Sequence, residues 1–371
     1  MSPPNSFEST REKLYSTMRL EDPEDCQPEA DPLAVQADRP RKPASIREVA
    51  RRAGVSVTTV SHALSGKRPV APETAARIRA LVPELGYVPY FAARTLQSGR
   101  SFVIGLVVPD ISNQFFGEIA IGVEAYANDQ DYGVTLCTSQ SDPRREKRYF
   151  NMLRSGAIDG LIYNAADATW DDALPTIAEN YPVVVVDEMV PGLEKSPLVT
   201  GDHRQGGFLA AMHLKELEHR HVAVLSGPAG LTSSVDRTEG LREVFPEALH
   251  LVGDYSEMSG RILASLVLQS PQKITAIFAG NDLMAFGVIG ELQSRGVRIP
   301  DDVSVVGFDD VDFAARITPS LTTVRQPAIE LGKRSAQLLL DHVIHEHPLE
   351  PQHLSLPVKL VRRGSTGVAR S

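Results

Sequence analysis

Within Ser56-Val57-Thr58-Thr59-Val60-Ser61-His62, four hydroxyls and an imidazole fall inside two helical turns, and Lys67-Arg68 follow shortly after. Threonine hydroxyls and methyls suit base edges and the thymine methyl, an imidazole can donate or accept, and the Arg68 guanidinium can fork onto guanine. Arg51, Arg52, Lys67 and Arg79 suit phosphate contacts instead. A second group, Asn113, Asp187, Asn281 and Asp309, sits just beyond apolar, strand-like runs. Amides and carboxylates there can hold the hydroxyls of a small ligand, and one of Phe115 and Phe116 can stack on its ring while the other packs in the core.

Nothing is spaced for turnover. The chain has no G-x-S-x-G run and no P-loop, so it reads as a non-enzyme. Cys26 and Cys137 are its only cysteines and stand far apart, which leaves no disulfide framework and no zinc site; neither metal nor cofactor is expected. His213, His219, His221, His342, His345, His347 and His353 are scattered, with His219 and His221 expected at the surface near a helix end.

The first group needs a small helical scaffold to present it. Ser45-Ile46-Arg47-Glu48 has the form of a capping box, with Ile46, Val49 and Ala50 turned inward. Gly54 ends that helix and Ser56 caps the next, which buries Val60 and Leu64 and leaves Val57, Thr58, Ser61 and Thr59 or His62 outward. A third helix opens at Pro72-Glu73-Thr74 and is kinked or cut short by Pro83.

The second group needs parallel sheets. Val103–Val108, Val134–Thr138, Gly160–Tyr163, Val183–Asp187, Val222–Leu225, Ala276–Ala279 and Val303–Phe308 alternate with helical stretches and show little period-2 polarity. Such runs imply sheets covered by helices on both faces, and this many strands fill two doubly wound lobes. Ligands in these folds lie beyond the carboxyl ends of the strands.

Charge divides the chain. Residues 1–40 hold four Arg/Lys against nine Asp/Glu, residues 41–100 hold eleven against three, and the overall net charge is −9. A solvated basic face alone could account for the middle block, but a compact positive block next to base-reading side chains is attracted to phosphates, while the acidic remainder is repelled. The 42% hydrophobic content allows large cores, although residues 1–40 are too polar to join them. The opening residues carry no apolar run long enough for a bilayer or a secretion signal, so a cytoplasmic, nucleoid-associated protein without membrane contact is expected.

The run from Ile46 through Leu64, together with Leu85-Gly86-Tyr87-Val88-Pro89 and Ala92-Ala93-Arg94-Thr95-Leu96, resembles the LacI/GalR repressor family. The resemblance implies a multi-domain fold: an all-α helix-turn-helix DNA-binding domain and an α/β two-lobed sensor like periplasmic binding proteins, with parallel doubly wound sheets. The boundaries expected are a disordered tail at 1–42, the helix-turn-helix at 43–90, a hinge helix and linker at 91–100, the effector-binding and dimerisation domain at 101–363, and a C-terminal tail at 364–371.

The partners implied are a pseudo-palindromic double-stranded operator, a small-molecule effector of sugar, sugar-derivative or nucleoside type, and a second copy of the chain, with tetramer assembly left open. Arg94 and Leu96 match the hinge, Leu96 as a wedge in the minor groove. Arg237, Tyr255, Asn281, Asp282, Asp309 and Gln326 match ligand contacts of sugar-responsive members. Arg237 could instead pair with an acid, and Asn281 and Asp282 suit helix caps nearly as well. Two departures bear on the ligand: Leu231 stands where the purine-responsive member has an arginine, and Glu188 stands where sugar binders often have one. A periplasmic-type sugar carrier is the rival reading, disfavoured by the helix-turn-helix and the lack of a signal peptide.

Overall fold

The computed structural model describes residues 44–65, 68–87, 99–140, 142–165 and 174–370. Lys67, Arg94 and Leu96, the proposed N-terminal tail and most of the proposed hinge segment lie outside the described residues. The chain divides into two compact units, up to Pro89 and from Tyr90 onward.

The first unit is three helices, α1 (Ile46–Ala53), α2 (Val57–Ser65) and α3 (Pro72–Glu84). Ser45 Oγ accepts from Glu48 N, but the Glu48 carboxylate turns to Arg51, so only half of the expected capping box forms. Gly54 adopts φ +66 and stops α1 in the left-handed conformation that glycine enters without a Cβ clash. Val49, Ala50, Ala53, Val60, Ala63, Ala75, Ile78 and Tyr87 form the core. Pro83 lies one residue before the end of α3.

The second unit is two six-stranded sheets with helices on both faces. The first lobe has strand order β11-β5-β4-β3-β1-β2, drawn from β1 (Val103–Val108), β2 (Gly133–Thr138), β3 (Gly160–Tyr163), β4 (Val183–Val186), β5 (Leu198–Gly201) and β11 (His353–Leu356). The second has order β12-β10-β9-β8-β6-β7, from β6 (Val222–Ser226), β7 (Leu249–Val252), β8 (Ala276–Ala279), β9 (Ser304–Asp309), β10 (Thr322–Arg325) and β12 (Lys359–Val361).

Alternate residues of one strand serve opposite cores, which is why the sequence shows no polar face. Ile104, Leu106 and Val108 pack under α4 (Gln114–Asp129) and α11 (Ala328–His345), whereas Val107 faces α5 (Pro143–Arg154) and α6 (Leu174–Asn180). The second lobe repeats this between α7 (His203–Glu216) with α8 (Thr232–Arg242) and α9 (Glu257–Leu268) with α10 (Asp282–Ser294). The chain passes between lobes after β5, after β10 and after β11.

Three expectations change. All pairings described are parallel except β12 with β10, which is antiparallel because the chain re-enters the second lobe directly from β11. Residues 364–370, expected as a tail, are an integral part of that lobe: Ser365 is fully buried and bonds Val305 O and Thr322 N. His219 is buried rather than superficial, with Nε2 3.1 Å from Gly367 O and Nδ1 2.9 Å from Thr275 Oγ1, so it clamps that segment down.

Three of the four helix pairs close on reciprocal glycines. A Cβ on Gly122 or Gly332 would meet backbone oxygen of the facing helix at 1.9 or 2.0 Å, and Gly207 with Gly240 and Gly260 with Gly287 repeat the arrangement. Gly287→Ala is therefore expected to destabilise the intact chain by about 1–3 kcal/mol in chemical denaturation. Gly117→Ala, with open space around its Cβ, should be neutral or stabilise by up to about 1 kcal/mol. Equal effects from the two would contradict the close packing.

Candidate functional site

On α2 the side chains sort by exposure. Val57 and Thr58 are exposed, while Thr59, Ser61 and His62 are half-buried. Ser56 Oγ accepts from Thr59 N at 3.1 Å and lies 2.8 Å from Thr59 Oγ1, so this hydroxyl pair is engaged in capping α2. Arg51 and Arg52 pair with Glu48 and Glu84, and Arg68 is exposed.

A cleft of about 350 Å³ opens between the two lobes of the second unit, lined from both by residues at the carboxyl ends of strands. Asn113, Phe115, Phe116, Asp187, Arg237, Tyr255, Asn281 and Asp309 all line it. Asp282 and Gln326 do not. Asp282 is fully buried beneath the wall, accepting from Val311 N and Thr323 Oγ1, and burial drives its pKa well above the ordinary value. Gln326 backs the wall and donates from Nε2 to Asp309 Oδ1 at 2.9 Å.

The local roles follow from geometry. Asn113 caps α4, accepting from Phe115 N, and Asn281 caps α10, accepting from Met284 N while donating to Tyr255 O. Phe115 is buried in the first-lobe core and meets the half-buried Phe116 edge to face, so Phe116 is the ring more open to the cleft. Asp187 (φ +69), Tyr255 (φ +67) and Asp309 (φ +115) are all non-glycine residues in the left-handed region. Backbone strain of this kind persists where surrounding structure holds it, and here it gathers at one cleft.

Arg237 is the central charge. Its Nη1 donates to Gly280 O at 2.7 Å, its Cζ lies 3.9 Å from the Phe308 ring centroid, and Asp309 Oδ1 is 3.9 Å away. Burial works against the cation, yet Tyr255, Asp309, Asp187 and Glu188 together hold it charged. Nε also donates to His203 Nδ1 at 3.4 Å, which leaves His203 Nε2 to donate to Asp187 O at 3.2 Å across the lobe boundary. Burial disfavours the Asp187 carboxylate, but the His203 and Arg237 side chains outweigh it and lower its pKa.

Glu188 makes a second crossing. Its carboxylate accepts from Ser233 N at 3.0 Å and from Ser233 Oγ, at the start of α8. Burial and then the neighbouring Asp187 push Glu188 up to about 7, and burial raises Asp309 to about 6 and the Tyr255 phenol to about 12. His203, Asn164, Ser233 and Phe308 were not singled out from sequence. His203 directly follows the short strand β5, which also went unread, so the strand-end rule had nothing to act on there.

The comparisons with known proteins come to the same architecture. Residues 45–90 match the family described as bacterial regulatory proteins, lacI family, and residues 211–366 match a periplasmic binding protein-like domain. The ribose operon repressor of Halalkalibacterium halodurans is 36% identical over 326 residues, which cover 87% of this chain and 97% of that protein. The lac repressor dimer bound to operator and the anti-inducer ONPF superposes with a TM-score of 0.77 at 28% identity, covering 88% of this chain and 100% of that one. A LacI family transcriptional regulator from Enterococcus faecium with bound ribose reaches a TM-score of 0.65 at 31% identity, covering 72% and 100%.

The chain belongs to the lacI family of bacterial regulatory proteins. It is a DNA-binding transcriptional regulator and not an enzyme. Among the described residues no helix is long and apolar enough to cross a membrane.

The raised Glu188 pKa carries a sign that can be checked. The folded chain keeps this proton up to about pH 7, whereas the unfolded chain releases it near its ordinary 4.5, so the folded state binds more protons between those values. Stability from this site is thus lost as pH rises through that window, by on the order of 1–3 kcal/mol. Glu188→Gln should remove this slope, seen as a wild-type to variant difference in unfolding free energy that grows with pH. A pH-independent difference would contradict the assignment.

Proposed function

We propose that the chain is a homodimeric repressor of carbohydrate or nucleoside metabolism genes, acting on a pseudo-palindromic operator. Its affinity for that operator is changed by a small hydroxylated metabolite held in the interlobe cleft. The observation that supports this reading is the presence in one chain of an exposed α2 face and a cleft walled by the carboxyl ends of both sheets. The names of its relatives point the same way: one is a ribose operon repressor and another was seen with ribose bound.

In this reading Val57, Thr58 and His62 meet base edges, with Ser61 beside them. Ser56 and Thr59 form the cap that sets the angle of α2. Arg68 forks onto guanine and Lys67 meets phosphate, and Arg94 and Leu96 belong to the hinge segment, with Leu96 as the minor-groove wedge. Residues 91–100 join the DNA-reading unit to the sensor, and the protein works at the nucleoid. In the cleft, Asn113, Phe116, Asp187, Arg237, Tyr255, Asn281 and Asp309 contact the effector, while Asp282 and Gln326 hold the wall. Carboxylates and a guanidinium give bidentate bonds to vicinal hydroxyls. An effector that fits one lobe arrangement better than another shifts the population between operator-binding states.

Selection of operator sequences by the intact protein, followed by titration, tests the DNA-reading surface. His62→Ala and Arg68→Ala should each weaken specific binding by about 1–3 kcal/mol and relax preference at one position of each half-site. Unchanged affinity and preference in both would remove α2 from the reading. A thermal-shift screen of the intact chain against sugars and nucleosides should find a saturable increase that is lost in Asp309→Asn. A shift that persists undiminished would place the effector elsewhere.

A further inference from the structure

The effector's charge is written into the cleft. Asp187 and Glu188 from the first lobe and Asp309 from the second face it with little exposed side-chain surface, and the rim adds Asp110, Asp254 and Glu257. Against these stands, among the described residues, a single lining cation, Arg237, and that cation is already committed to Gly280 O, His203 and the Phe308 face. Above about pH 7, where Glu188 ionises, the lobe wall formed by Asp187 and Glu188 carries negative charge that Arg237 does not balance.

Few donors reach that wall. Asn164 Nδ2 donates to Val186 O, and Asp187 Oδ1, on a carboxylate more than nine-tenths buried, has the His203 Nε2 contact at 3.4 Å but no hydrogen bond of good geometry. Glu188 meets the Ser233 amide and hydroxyl across the boundary between lobes, and both residues line the cleft. A hydroxyl can donate one proton there and brings no charge. An ammonium brings three donors and a full positive charge on a compact head. A phosphate would face like charge from Asp187, Glu188 and Asp309, against Arg237 alone.

We propose that the natural effector is an aminated sugar or amino-bearing polyol, whose ammonium group docks against Asp187 and Glu188 while its hydroxyls meet Arg237, Asn281 and Asp309. This deepens the reading of the cleft as a site for a small hydroxylated metabolite and rests on it. The groups facing Glu188 are Asp187 on its own loop, His203 from α7, Ser233 and Arg237 from α8, Tyr255 from the loop after β7 and Asp309 from the end of β9. Arg237 is the one fixed cation in that set. Burial first, and then the neighbouring Asp187 carboxylate, raise the proton affinity of Glu188, and burial raises that of Asp309 although Arg237 opposes it; a cationic group placed beside these carboxylates would favour their ionised forms.

The test is a set of matched ligands titrated calorimetrically into the intact protein: ribose with 2-amino-2-deoxyribose, glucose with glucosamine, and the corresponding sugar phosphates. At about pH 7.5, where the wall is ionised, the aminated member of at least one pair should bind roughly tenfold or more tightly than its neutral partner. At about pH 5.5, with Glu188 protonated, that preference should shrink severalfold. Glu188→Gln should abolish most of the preference at the higher pH, read as the ratio of aminated to neutral affinity measured in the variant itself. The wild-type pH comparison stands alone if the variant folds poorly. Equal or better binding of the neutral sugar at both pH values, or preference for a phosphate, would overturn the amine proposal and leave the cleft reading intact. Binding of none of them would overturn both.

Discussion

A guanidinium taken out of water must be surrounded by acceptors and ring faces, and the interlobe cleft is assembled around one. Arg237 gathers the end of β8 through Gly280 O, the end of β9 through Phe308 and Asp309, and the start of α7 through His203. His203 then carries the connection to Asp187 in the other lobe. Removing one partner from such a set strands a buried charge, a loss typically of about 3–5 kcal/mol, so the strand ends around Arg237 are tied to one arrangement. The left-handed backbones of Asp187, Tyr255 and Asp309 are tolerable because this network and the helix caps beside it fix them in place.

Around that centre the two lobes are each stiff and are joined in few places. Reciprocal glycines lock α4 to α11, α7 to α8 and α9 to α10 at backbone contact. The chain crosses between lobes three times, and inside the cleft the Asp187–His203 and Glu188–Ser233 contacts bridge them. A ligand that enters must satisfy those same groups. In the proposed reading, binding energy at the cleft is converted into a preference between lobe arrangements, which is the physical requirement for control of operator affinity.

Much of this was legible in the residues. Seven apolar runs gave seven strands, because strands covered on both faces need no polar alternation. The five strands that went unread are short, and their compositions explain it: Leu198–Gly201 and Thr322–Arg325 mix threonine with glycine or arginine, Leu249–Val252 is half-buried at a sheet edge, His353–Leu356 alternates at the edge of the first sheet, and Lys359–Val361 is only three residues long at the edge of the second. The strand-end rule found Asn113, Asp187, Asn281 and Asp309 without help. It could not separate Asp282, one residue further on, which turns under the wall to Thr323 and Val311, contacts set by tertiary packing alone. His219 and Ser365 were missed for the same reason, since their partners lie far off in sequence.

The central claim is a coupling between two ligands, and coupling is measured directly by titrating a labelled operator with the full-length protein, with and without saturating effector. Thermodynamic linkage requires that operator change effector affinity by the same factor that effector changes operator affinity. The account predicts equal factors, each on the order of 5–150-fold. Identical operator affinity in the presence and absence of an effector shown to occupy the cleft would contradict it.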